Sequence, residues 1–273
     1  MAESKNFPYL HGFSEEEQSR LRQQARFAEQ AVYRSVDFSK SNKVLEVGCG
    51  VGAQSEILLR RFPEIHLTGV DFNKRQLQAA KEFLAKLSLA EGRYEIHEMD
   101  AMNMSFKDNE FDGAFLCWVL EHIPDPAKAL SEIKRVLNPG AKVFISEVMN
   151  HTFFIDPYSP NVWKYWMAFN DYQYENAGDP FIGAKLGNLL TDVGFTDIKT
   201  KFYSWHLDSR HEVRRREQFE YWVELMMSAS EQLLKNNCVD EETVEAAKKE
   251  MQEVKENPKA VFMYSFMQAE ATA

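Results

Sequence analysis

The sequence predicts an α/β fold built on a doubly wound, largely parallel sheet, and three observations predict it. Between residues 43 and 148 short apolar runs alternate with amphipathic stretches of helical spacing. The first run, Val44-Leu45-Glu46-Val47, passes straight into Gly48, Gly50 and Gly52 before a helix begins. Glycines at such a turn permit positive φ and let a ligand approach the backbone, and the helix beyond points its free N–H groups into the same crevice. Successive runs then end on acidic residues: Glu46 at the first, Asp71 just past the second and Asp100 past the third.

The elements follow in order. Ser14 and Glu17 have capping-box spacing and open a helix over 14–35, with Leu21, Ala25, Ala28 and Val32 on one face. Ahead of it the aromatic segment Phe7 to Phe13 is either a hydrophobic staple for that helix or a flap over a ligand. Strands at 44–47, 65–70, 94–99, 111–118 and 142–148 alternate with helices. Pro63 stops the helix over 53–62. Asn73 caps a helix lined by Leu77, Ala80, Leu84 and Leu87. Asp125 caps another with Pro126 in its first turn, and Asn138-Pro139-Gly140 is expected to end it. Residues 149–180, rich in aromatics and broken by prolines, read as a loop with a short helix. A helix over 181–193 closes at Gly194, and a strand follows over 198–207. Two helical patterns, 213–234 and 241–255, joined at Asn236-Asn237, precede a last strand over 261–269. The chain thus divides into N-terminal cap helices at 1–40, a core at 41–208, a helical insertion or lid at 209–257 and a returning strand at 258–273.

Composition narrows the function. The 273 residues are 44% hydrophobic, enough for a sizeable core, and the formal net charge of −10 argues against a nucleic-acid partner. The basic run Arg214-Arg215-Arg216, flanked by Glu212 and Glu217, reads as a solvated helix face. Cys49, Cys117 and Cys238 are odd in number and far apart, which suggests neither a disulfide framework nor a metal site and fits a reducing cytoplasm. Met1 to Asn6 lack the apolar core of a secretory signal, and no apolar run is long enough to span a membrane.

Gly48, Gly50 and Ala53 fit the dinucleotide pattern, so a nicotinamide-dependent oxidoreductase stands as one alternative. Glu46 tips the balance, because a carboxylate beside the glycines repels a pyrophosphate and welcomes an ammonium group. Asp71 lies about 20 residues past the glycines, the spacing of a carboxylate that grips ribose hydroxyls; its other reading is a helix cap, which Asn73 already supplies. Together the stretch Glu46-Val47-Gly48-Cys49-Gly50-Val51-Gly52 resembles the first motif, E-x-G-x-G-x-G, of the class I S-adenosylmethionine-dependent methyltransferases.

The resemblance covers residues 44–148. It implies a Rossmann-like seven-stranded sheet, mostly parallel with the last strand antiparallel, and S-adenosyl-L-methionine as the cofactor. It places Glu46, Gly48 and Gly50 at the methionyl end and Asp71 at the ribose. Asp100 falls on the adenine amine, Ala101 on its ring and Cys117 below the sulfonium. Tyr9, Phe72 and Gln76 are further cofactor contacts on the same reading. His122, on the loop after the fourth strand, is the candidate acid/base; it serves equally well to satisfy the Ile123-Pro124 turn. His11 and His151 are weaker candidates. The expected activity is transfer of a methyl group to O, N or C of a small, apolar or aromatic acceptor, held among His122, residues 149–180 and the insertion. No Asn-Pro-Pro-Tyr-like tetrapeptide follows the fourth strand, so nucleic-acid amines are disfavoured as acceptors. A homodimer is compatible with this reading. A third possibility is a non-catalytic subunit that binds the cofactor and uses its aromatic segment as a protein interface.

Overall fold

The computed structural model describes residues 11–12 and 14–273, so Tyr9 and most of the aromatic segment before the first helix lie outside the described residues. In chain order the elements are α1 (Glu15–Val32), β1 (Lys43–Val47), α2 (Ala53–Arg61), β2 (His66–Asp71), α3 (Lys74–Leu84), β3 (Tyr94–Glu98), β4 (Phe111–Cys117), α4 (Pro126–Val136) and β5 (Leu137–Val148). There follow β6 (Phe154–Asp156), α5 (Pro160–Glu175), α6 (Leu186–Val193), β7 (Thr196–Leu207), α7 (Glu212–Met227), α8 (Ser230–Lys235), α9 (Glu241–Glu256) and β8 (Val261–Thr272).

The chain forms two compact units, one of residues 21–148, 182–203 and 266–273 and the other of residues up to Arg20, 149–181 and 204–265. In the first, which carries the glycine motif, the strands hydrogen-bond in the order β3-β2-β1-β4-β5-β8. The pairs are parallel up to β5, and β8 runs antiparallel to β5 from Lys142↔Thr272 to Val148↔Phe266. β1 is central, which explains why Val44, Leu45, Glu46 and Val47 are all buried: a parallel strand covered on both faces reads as an uninterrupted apolar run. Leu45, Val47, Leu116, Ile145 and the inner face of α4 share one core.

Local chemistry sets the helix ends. The Ser14 hydroxyl accepts the Glu17 N–H at 3.2 Å, Asn73 accepts from the N–H groups of Arg75 and Gln76, and Asp125 accepts that of Lys128. Asn138-Pro139-Gly140 does not stand between α4 and β5 as a separate stop. The strand starts at Leu137 and absorbs those residues as an irregularity, its register against β4 jumping from Phe111↔Leu137 to Gly113↔Lys142.

The second unit has an aromatic core drawn from Phe153, Tyr165, Trp166, Phe169, Trp222 and Phe262 among others. Here residues 149–180 depart from the expected loop with a short helix only in extent: α5 is a full 16-residue helix. Val162, Tyr165, Trp166, Phe169 and Tyr172 are buried at helical spacing, and Pro160 occupies its first turn, where a missing N–H costs nothing. The Glu250 carboxylate of α9 accepts the N–H groups of Asn161 (2.9 Å) and Val162 (3.0 Å), so the cap comes from another helix. A short strand, β6, is added to the expected seven and pairs antiparallel with the Val261 end of β8. The pattern expected over 213–234 breaks at Ser228 and Ala229 into α7 and α8. The basic run is not uniformly solvated either: Arg214 is exposed and Arg216 meets Glu256 at 2.5 Å, but Arg215 is wholly buried.

Candidate functional site

The glycine turn sits between β1 and α2. Gly48, Gly50 and Gly52 all have positive φ, of 71°, 48° and 75°, yet they serve different ends. A Cβ on Gly48 would come within 2.5 Å of Val119, and one on Gly52 would press on Ala80 and Leu84 at 3.3 Å, so these two glycines admit neighbouring protein. A Cβ on Gly50 would meet nothing within 4 Å. That glycine faces open space, the cradle a backbone-hugging ligand would fill. α2 has no side-chain hydrogen bond at its N-terminus, a lack it shares with α6, α7 and α8, whereas α3 and α4 are capped by Asn73 and Asp125.

Asp71 joins this turn from β2. Its Oδ2 accepts the Gly50 N–H at 3.0 Å and its Oδ1 the Asn73 N–H at 2.9 Å. Burial raises its pKa, against the lowering effect of those N–H donors and of His122. Glu46, 2% exposed, accepts the Ser55 hydroxyl at 2.5 Å. Burial pushes it up to about 8, with Asp71 adding to the effect, so in this state it is largely protonated at neutral pH. Next to them Phe72 is 57% exposed, an unusual position for a phenylalanine, and the buried Gln76 leaves its Oε1 without a hydrogen-bond partner. Both fit a site built to receive a flat aromatic ring and a polar group.

The β3 end is continuous with this edge, since the Met99 N–H donates to the Asp71 carbonyl at 3.0 Å. Asp100 is exposed and takes the Met102 N–H at 2.8 Å inside its own turn, with the half-buried Ala101 between them. Cys117, at the end of β4, accepts a hydrogen bond from the Gln54 amide at 3.6 Å. Burial, then Glu147, Glu46 and Glu121, push its thiol well up, which disfavours the nucleophilic thiolate. His122 closes a short 3-10 turn over Leu120–His122, with Nε2 3.7 Å from the Glu121 carboxylate. All of these residues belong to the first unit. His11 and His151 belong to the second; His11 bonds Ser228 at 2.6 Å and His151 packs on Phe181.

Glu147 is the buried strand-end acid beside these residues that sequence reasoning missed. It is fully buried at the end of β5, and its Oε1 accepts the N–H groups of Val119 (3.0 Å) and Leu120 (2.8 Å). The carboxyl therefore staples the loop that carries His122, while its Oε2 stays without a partner. Burial and Glu121 push it up to about 8. The available signal was an acid inside an otherwise apolar strand, Ile145-Ser146-Glu147-Val148.

An uncapped helix N-terminus, an open glycine cradle and acids at adjacent ends of a parallel sheet define a class: the chain belongs to the class I S-adenosylmethionine-dependent methyltransferases. The methyltransferase domain family matches residues 45–145. The demethylmenaquinone methyltransferase of Geobacillus sp. (strain WCH70) is 30% identical over 192 residues, covering 65% of this chain and 81% of that protein. The O-methyltransferase cnsE of Penicillium expansum is 31% identical over 168 residues, covering 59% of this chain but only 56% of the relative. Among solved structures, Haemonchus contortus phosphoethanolamine N-methyltransferase 2, in complex with phosphomonomethylethanolamine and S-adenosylhomocysteine, shares the fold at a TM-score of 0.56. Its sequence identity is 19%, with 92% of this chain and 52% of that chain covered.

Proposed function

We propose that the chain transfers a methyl group from S-adenosyl-L-methionine to O, N or C of a small, apolar or aromatic acceptor. The observation that carries this is the open cradle at Gly50 with its N–H on Asp71, beside the buried Glu46. In this reading Glu46, Gly48 and Gly50 receive the amino-acid end of the cofactor, Asp71 the ribose, Asp100 and Ala101 the adenine, and Phe72 stacks on the base. Gln76 supplies its free Oε1. Cys117 forms the floor beneath the reacting centre, with Gln54 behind it. Such a cofactor brings an already activated methyl, so the protein's work is to align the acceptor, exclude water and take up any proton the acceptor loses. Alignment alone can be worth about 7–11 kcal/mol. His122, held by the loop that Glu147 staples, is the group placed to take that proton.

The names of the relatives support a small acceptor, one being a demethylmenaquinone methyltransferase and another an O-methyltransferase. The chain's net charge of −10 supports the absence of a nucleic-acid partner. No helix among the described residues is long and apolar enough to cross a membrane, and the three cysteines are free, which supports a place in the cytoplasm. Exposed Tyr158, Met167 and Tyr174 give a second copy of the chain apolar surface to cover, in line with a homodimer. The experiment is radiolabelled methyl incorporation and cofactor binding with Asp71→Ala and Asp100→Ala. Both variants should lose binding; undiminished binding in both defeats the assignment.

A further inference from the structure

Buried arginines in the aromatic unit are treated in two opposite ways. Arg20, 5% exposed, has its Nε and Nη2 taken by the Glu17 carboxylate at 2.7 and 2.6 Å, and its Nη1 donates to the Tyr221 hydroxyl at 3.1 Å. That two-point fork onto a carboxylate is how a guanidinium is ordinarily satisfied away from water. Arg215, 0% exposed, is held by one nitrogen only: Nη1 donates to the carbonyls of Asn257 (2.6 Å) and Ala260 (2.8 Å), at the end of α9. Its Nε and Nη2, the same edge that Arg20 gives to Glu17, are buried without a partner.

The neighbours on α7 repeat the pattern. Gln218 and Trp222 lie three and seven residues on, along the face that Arg215 shares. They are 1% and 2% exposed, and the Gln218 Oε1 and the Trp222 Nε1 are likewise buried and unpartnered. Around them the packing is aromatic: the Trp222 ring lies 4.8 Å from Phe153 and 4.8 Å from Tyr264, and Phe219 packs edge-on to Phe262. A guanidinium stays charged at any pH a protein meets, so it cannot escape burial by losing its proton. Two guanidinium N–H groups and an indole N–H left unpaired in an apolar setting are a costly arrangement that a bound anion would relieve; the Gln218 oxygen is itself an acceptor and gains nothing from one.

We infer that Arg215, with Trp222, forms a carboxylate-binding site in the aromatic unit, and that its ligand is an apolar or aromatic molecule bearing one carboxylate. The Nε/Nη2 edge takes both carboxylate oxygens, the Trp222 N–H can add a third donor, and the aromatic side chains receive the rest. This goes beyond the proposed function and does not rest on it. The binding site itself requires no turnover.

The test is calorimetric titration of the full chain with 3-phenylpropionate, using 3-phenylpropionamide as the uncharged match. The acid should bind and the amide should not. Arg215→Met should lose binding of the acid. Because Nη1 also ties down the α9 end, the decisive variant is Gln218→Glu, which offers Arg215 a carboxylate from within α7 and should weaken the acid at least about tenfold in a folded chain. No binding of the acid, equal binding of acid and amide, or unchanged binding in Gln218→Glu overturns the inference. S-adenosylhomocysteine titrated into the same samples separates the two readings: if it binds and the acid does not, the carboxylate site is rejected and the methyl-donor site stands.

Discussion

At the scale of single residues, the buried carboxyls Glu46 and Glu147 govern how the first unit responds to pH. Both are pushed up to about 8, chiefly by burial. A carboxyl whose pKa is raised on folding binds its proton more tightly in the folded chain. Stability therefore falls as the pH climbs from the unfolded value, near 4.3, through the folded value. Every tenfold gain in proton affinity on folding corresponds to about 1.4 kcal/mol. Glu147→Gln keeps an oxygen for the Val119 and Leu120 N–H groups and removes the penalty. It should raise the melting temperature at about pH 8.5 and leave it nearly unchanged around pH 5. An equal gain at both would show that Glu147 is not held protonated. The strand-end acids Glu46, Asp71 and Asp100 were legible in the sequence because each follows a clear apolar run. Glu147 was hidden because one buried acid in a strand looks like an interruption until its hydrogen-bond partners on the next loop are visible.

At the scale of elements, the glycine turn separates packing from ligand approach. Gly48→Ala should destabilise the fold, since its Cβ collides with Val119, and chemical denaturation would show it. Gly50→Ala has room for its Cβ and pays only for a positive φ, about 1 kcal/mol. It should stay folded and yet lose cofactor affinity by calorimetry. Equal loss of stability in the two would remove the distinction. α5 teaches the converse lesson about legibility. The stretch around it read as a loop with only a short helix because its first N–H groups are capped by Glu250, far along the chain on α9, which no local pattern reveals. Glu250→Ala should cost about 1–2 kcal/mol in denaturant unfolding. A change within error would show that the cap contributes nothing.

At the scale of the whole molecule, periodicity exposed the parallel sheet, since a central strand buried on both faces leaves little choice of residue. The aromatic unit was harder to read. Its core is assembled from segments far apart in the chain, Phe153 with Trp222 and Phe262, so most of the aromatic run serves packing rather than the lining of a pocket. The central claim concerns the other unit, where Asp71 holds the N–H of an open glycine cradle that follows the buried Glu46. Calorimetric titration with S-adenosylhomocysteine, against NAD as the competing dinucleotide, tests it most directly. The wild-type chain should bind S-adenosylhomocysteine, Asp71→Ala should not, and NAD should give no heat of binding. Binding of NAD, or equal affinity of the wild type and Asp71→Ala for S-adenosylhomocysteine, would contradict the account.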